Sequence, residues 1–210
     1  VLEGVQFLDC PTNGLDLGNA RLHGTEFQEA DLRTASIADI QAVQCDFSAA
    51  NLQGMTLQGC DFTDSDFAKA DLSGADLTGS NLSQANLTGA NASGAQLRRC
   101  IAISADFPDC NLSAADLSEA NLDGANLTGA LLVNARIAQA RINESILVGA
   151  NCQQAIFVST TMHYSDFSHA NLVASQFVNC DVAGANFHRV HSQDAQWQGT
   201  NTDKAKGTDP

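Results

Sequence analysis

Between Ala70 and Ala95 the chain reads ADLSGADLTGSNLSQANLTGANASGA: a small residue, Asp or Asn, Leu, Ser or Thr, then usually Gly, repeated with no insertion. A period of five fits neither the roughly 3.6 residues of an amphipathic helix nor the roughly 2 of a half-buried strand. Each unit carries one large apolar residue and can bury it only by stacking on its neighbours. The chain must therefore be a solenoid of short repeats.

The register runs nearly end to end. Large apolar residues recur from Leu2 and Phe7 through Leu22, Leu52, Leu82, Leu112, Ile142 and Phe177 to Trp197, with Thr12, Ala42, Ala92, Ala102, Cys152, Ser192 and Thr202 as exceptions. Two residues earlier the slot is small almost throughout, so it also points inward. Of the 16 glycines, 14 fall two residues after the central apolar residue. That recurrence marks a corner that often needs positive φ, as in a type II turn.

Phenylalanine spacing counts the sides. Seven of the ten phenylalanines (Phe7, Phe27, Phe47, Phe67, Phe107, Phe167 and Phe187) lie on one twenty-residue lattice. Four equivalent sides would hold only about a quarter of them each. The superperiod is thus one coil of four sides. The reading is a single all-β domain over residues 1–202, with about ten coils in a rod roughly 50 Å long at ~4.8 Å per coil. Trp197, with Ser192 and Thr202, is expected to plug the last coil. Residues 203–210, DKAKGTDP, lack apolar periodicity and are expected to form a polar flexible tail.

ADLSG, ADLTG, SNLSQ, ANLTG, ADLSE and ANLDG resemble the pentapeptide-repeat motif, and the resemblance covers roughly residues 1–202. It implies that family's right-handed quadrilateral β-helix. What it implies for function is mixed: some members bind DNA gyrase and protect it from quinolone-like poisons, some regulate cyanobacterial cell differentiation, and most have no assigned role. Several gyrase-protecting members carry projecting loops or a C-terminal dimerisation helix, and this chain shows neither.

Charge narrows the partners. Ten basic against 24 acidic residues give a formal charge of -14, which repels nucleic acid phosphates and anionic membrane surfaces. No apolar run approaches the ~20 residues of a membrane span. Six of seven cysteines (Cys10, Cys45, Cys60, Cys100, Cys110 and Cys180) occupy the small slot and Cys152 the central one, with no two spaced for direct stacking. They read as reduced core residues, which points to a bacterial cytoplasm, with a lumenal or periplasmic compartment as the alternative.

Chemistry for catalysis is not gathered anywhere. The interior is filled, and the histidines (His23, His163, His169, His188 and His191) all point outward, so no catalytic residue, cofactor or metal site is expected. Two surface features stand out. Wall by wall, the formal charge is -6 on the phenylalanine side and -4 on the adjacent side centred on Leu22 and Leu82, against -2 on each of the others. The densest line is Glu26, Asp46, Asp66, Asp106 and Asp166, flanked by Asp9, Glu29 and Asp109. Its functional reading is a partner site that mimics duplex DNA, although duplex DNA carries one charge per ~1.7 Å and this rod under half that density. The plain alternative is a solvated acidic surface that keeps the rod soluble.

Outward bulky aliphatics are concentrated after residue 100: Ile101, Ile103, Leu131, Val133, Ile146, Val148, Ile156, Val158, Val173 and Val178. Val133, Val158, Val173 and Val178 fall on the less acidic walls and form a second candidate interface, unless they only reflect the strand preference of β-branched residues. The expected function is a regulatory or adaptor scaffold that binds another protein, with an acidic DNA mimic acting on gyrase as the alternative. The rod is expected to be a monomer, or a homodimer through an end or the C-terminal apolar walls.

Overall fold

The computed structural model describes residues 1–7 and 14–207, so the expectations placed on Asp9, Cys10, Thr12 and the last three residues of the tail lie outside the described residues. The architecture is a four-sided parallel β-solenoid of about ten turns. Its backbone groups are satisfied between coils: the Asp46 N–H donates to the Thr25 carbonyl at 2.9 Å, and the Asp66 N–H to the Cys45 carbonyl at 2.9 Å. The bridges run in parallel with a constant offset of one twenty-residue coil, from Gln6 with Glu26 to Asn186 with Lys206. Such a ladder pairs most backbone groups of the extended sides with the neighbouring coils.

On most sides only one residue per repeat pairs. Longer extended sides occur in two stacks. β1 (Leu2–Glu3), β2 (Arg21–His23) and β3 (Gln41–Val43) lie on the wall of Leu22, hereafter the leucine wall. β4 (Arg136–Ala138), β5 (Ile156–Val158), β6 (Gln176–Val178) and β7 (Gln196–Gln198) lie on the wall of Leu17 and Ile137.

The core is a set of vertical stacks. Phe7, Phe27, Phe47 and Phe67 follow one another at centroid distances of 4.8, 5.0 and 4.9 Å, as the twenty-residue spacing requires. A second stack, Phe157, Phe177 and Trp197, stands on another wall at 4.6 and 4.1 Å. Offset rings of this kind add ~0.5–1.5 kcal/mol per pair to their burial. Trp197 also meets the Phe187 ring edge-on at 5.2 Å and closes the last coil. A void of about 10 Å³ lined by Leu117, Leu132, Phe157 and their neighbours has room for about one water at most.

The ladder runs past the boundary expected at residue 202. After a 3-10 turn at Thr202–Lys204, the Gly184 N–H donates to the Lys204 carbonyl at 2.8 Å and the Lys206 N–H to the Ala185 carbonyl at 2.6 Å. The polar segment to residue 206 thus pairs with the open edge left by the coil beneath it, which apolar periodicity could not reveal. Among the described residues no helix is long and apolar enough to cross a membrane.

Most corners are four-residue turns closed by a backbone bond, such as Ala50 N–H to the Phe47 carbonyl at 3.0 Å with Ala49 at φ 55°. The corner slot holds positive φ even where it is not glycine, at Glu29, Lys69, Tyr164 and others. Thr34, β-branched, has no positive φ, which fits the steric cost such residues pay in the left-handed region.

At extended sides the turn opens, and a polar residue of the next coil fills it. The Ser65 hydroxyl accepts from the Cys45 N–H at 3.0 Å and donates to the Ala42 carbonyl at 2.6 Å, bridging the two ends of the corner. Thr200 does the same between the Cys180 N–H at 3.0 Å and the Phe177 carbonyl at 3.2 Å. Thr160 donates to the Ile137 carbonyl at 2.5 Å, and the Cys180 thiol to the Phe157 carbonyl at 3.5 Å. Small-slot Ser, Thr and Cys therefore complete the backbone as well as fitting the space.

Removing such a bridge strands a buried donor and acceptor. Ser65→Ala should cost about 1–3 kcal/mol in denaturant unfolding, and Ser65→Cys less, because Cys180 already fills an equivalent corner. Equal losses in the two variants would contradict the bridging role.

The six described cysteines are buried and free. Burial pushes the thiols of Cys100, Cys110 and Cys152 from the ordinary 9.0 up to about 12. Folding thus favours the neutral thiol, so this contribution is complete below pH 9 and is lost as pH rises toward 12. Unfolding free energy should fall above pH 9 by about 1.4 kcal/mol per pH unit for each such thiol. The Cys100→Ala/Cys110→Ala variant, with the slot's commonest residue in both places, should fall less steeply; an unchanged slope would refute the assignment.

Candidate functional site

Vertical registration turns outward slots into surface columns. On the phenylalanine wall Glu26 pairs with Asp46 and Asp46 with Asp66, so three carboxylates stand on successive coils. Asn86 then separates Asp66 from Asp106, while Asn126 and Ile146 separate Asp106 from Asp166. The structure therefore brings together the lower three residues of the expected acidic line and leaves the upper two apart. Glu29 and Asp109 lie in the adjoining corner column, both with positive φ.

These carboxylates are engaged within the fold. Asp46 accepts from the Ser48 N–H at 2.8 Å and from the Gln28 amide. Asp66 accepts from the Ala68 N–H at 2.8 Å and the Asn86 amide at 3.0 Å. Asp166 does likewise with the Ser168 N–H at 2.8 Å and the Asn186 amide at 2.9 Å, and Asp106 takes the Asn126 amide at 3.4 Å. An Asn above Asp66, Asp106 and Asp166 donates where a second Asp would repel, so alternation of the two residues stabilises the column. Glu26, Asp46 and Asp66 lack that alternation and form its most electronegative stretch.

The apolar set is dispersed. Val158 and Val178 are register partners on β5 and β6, whereas Val133 and Val173 stand two coils apart on the next wall. All four are half-buried. The more exposed large apolar residues are Ile101, Ile103, Leu131, Ile146 and, at 66%, Tyr164.

Tyr164, which slot statistics do not single out, borders an open groove of about 460 Å³ on the leucine wall. Ile103 and Tyr164 stand at its two ends, with Asp123, Gly124, Arg141 and Asn143 between them. Asp123 accepts from the Asn143 N–H at 3.0 Å, from the Asn143 amide at 2.9 Å and from the Arg141 guanidinium. His163 Nε2 lies 2.8 Å from Asp181, whose carboxyl is held below its usual value by that hydrogen bond. The available signal was a lone tyrosine in a slot where glycine is the commonest residue. Among the described residues no group of three or more His, Cys, Asp or Glu is placed to hold a metal ion.

A profile described as pentapeptide repeats matches in eight copies, in overlapping stretches over residues 45–84, 80–118, 110–147 and 135–172, more than half of the 210 residues. The chain belongs to the pentapeptide repeat family. Its fold is similar to that of HetL, a pentapeptide repeat protein involved in heterocyst differentiation regulation in the cyanobacterium Nostoc sp. strain PCC 7120. That match has a TM-score of 0.56 and 23% identity, over 94% of this chain and 92% of HetL. A trypsin-treated form of QnrB1, a plasmid-mediated fluoroquinolone resistance protein, matches with a TM-score of 0.50 and 23% identity over 90% of this chain and 91% of its own. No curated protein sequence matches. At these identities the neighbours establish the fold of this pentapeptide repeat protein alone.

Replacing the last carboxylate of the acidic stretch, Asp66, should relieve repulsion while keeping its hydrogen bonds. Asp66→Asn retains an acceptor for Ala68 and gains a donor toward Asp46. It should raise stability by about 0.2–1 kcal/mol at low salt and by less at high salt. A loss of stability in thermal unfolding would contradict this reading of the column.

Proposed function

We propose that this pentapeptide repeat protein is a non-enzymatic scaffold that presents its walls to another protein in a regulatory or adaptor role. The supporting observation is the filled interior, whose void of about 10 Å³ takes no substrate, beneath outward side chains fixed in columns by the coil-to-coil ladder. Enzyme sites are usually concave and bury most of a small ligand. A rigid, regularly spaced exterior instead suits protein recognition, because little ordering entropy is lost on docking. HetL, of the same fold, has a regulatory involvement in its own cell.

A second reading has its own support. The contiguous carboxylates Glu26, Asp46 and Asp66 on the phenylalanine wall resemble one charged edge of a duplex, which would suit an acidic DNA mimic acting on gyrase. Their spacing of ~4.8 Å per coil is wider than the ~3.4 Å per charge along one DNA strand. The column is also neutral at Asn86, Asn126 and Ile146, so the scaffold reading is favoured.

Co-purification from the native host discriminates the two. A scaffold should recover a partner other than a topoisomerase, with capture reduced by Val158→Asp or Val178→Asp and no effect of the protein on gyrase supercoiling. Gyrase inhibition or protection that disappears in Asp46→Asn/Asp66→Asn/Asp106→Asn would replace the scaffold reading with the mimic.

A further inference from the structure

We propose that the groove on the leucine wall is a seat for an arginine side chain presented by a partner polypeptide, with Tyr164 as the stacking surface and Glu144 as the counter-charge. This rests on the scaffold reading but names a different surface from the acidic column and the valines. Four observations carry it.

The shape comes first. Ile103 and Tyr164 are three coils apart, about 14 Å at the spacing of paired strands, and Gly124 between them contributes no side chain. An extended peptide can lie across that gap and lower one long side chain into it.

The second observation is which charges remain unused. Arg141 is taken by Asp123, and His163 Nε2 lies against Asp181, so these groups are turned to one another within the wall. Glu144 lines the same groove with no side-chain hydrogen bond or ion pair among the described residues. The groove therefore offers a net carboxylate on a wall of formal charge -4, a field that draws in cations.

Third, the Tyr164 ring is fixed in advance. Its backbone sits at φ 57°, and the ring lies over Gly184, where an added Cβ would come within 2.6 Å of Cδ1. The bare glycine in the coil above is what lets the ring rest there. Glu144 is in the same corner column, one coil below.

The fourth observation is that the ring already attracts a cation. Lys206, the last residue of the ladder, holds its Nζ 5.8 Å from the Tyr164 centroid. An arginine from outside would answer the same electrostatics more fully, because a planar guanidinium stacks on the ring and meets a carboxylate with two donors. Lys206 then acts as a competitor within the chain.

The test uses the full chain and a blocked Gly-Arg-Gly peptide, with the Tyr164 ring resonances followed by NMR; the chain has one tyrosine, so the signal is unambiguous. A saturable shift is expected with the arginine peptide and weaker binding with its lysine counterpart. Glu144→Gln should weaken binding roughly two- to fivefold and Lys206→Gln should strengthen it roughly two- to fivefold. Asp46→Asn/Asp66→Asn should leave it unchanged. The proposal is overturned by a linear, unsaturable shift, by wild-type affinity in Glu144→Gln, by equal affinity for the lysine peptide, or by an equal loss in Asp46→Asn/Asp66→Asn. None of these outcomes bears on capture of a partner through the valines, so this seat can fail while the scaffold reading stands.

Discussion

A backbone hydrogen bond between residues one coil apart places every slot on top of its own kind. From that constraint the interior and the surface both follow. Inside, it stacks Phe27 on Phe7 and Trp197 on Phe177, so rings pack face to face without the irregular interlocking of a globular core. Outside, it lines up whatever the repeat leaves in its polar slots. Amide above carboxylate is favourable, as with Asn86 over Asp66, and carboxylate above carboxylate is not.

The same constraint decides where function can reside. A wall made of identical storeys carries little information, so recognition has to use departures from the repeat. Three are visible: an unrelieved acidic stretch at Glu26, Asp46 and Asp66, a valine pair on β5 and β6, and the Ile103–Tyr164 groove with its tyrosine resting on Gly184. Each is a place where one residue type replaces the consensus in one column, and none needs an inserted loop. The stiffness that limits chemistry inside the rod fixes these groups in advance of any encounter.

Much of this was legible in the amino-acid order because a solenoid converts sequence distance into spatial distance directly. The phenylalanine spacing identified a four-sided coil, and the charge map placed Asp46 and Asp66 in one column on successive coils. What slot counting missed depends on orientation within a slot. Ser65, Thr160 and Thr200 look like space-fillers by size, yet their hydroxyls complete opened corners. Tyr164 sits in a glycine slot, and only the placement of Gly184 one coil above shows where its ring goes. The polar end near Lys206 lacks apolar periodicity because edge pairing uses backbone groups, which composition does not record.

The central claim is that sequence separation maps onto height at one coil per twenty residues, with side chains held in straight columns. Spin labels at Ala49→Cys and His169→Cys, exposed positions in one corner column, test it most directly in a Cys10→Ser background, where the remaining native thiols are buried. Six coils at ~4.8 Å predict a narrow distance distribution centred near 29 Å. A broad distribution, or a centre displaced by more than the reach of the labels, would contradict the claim.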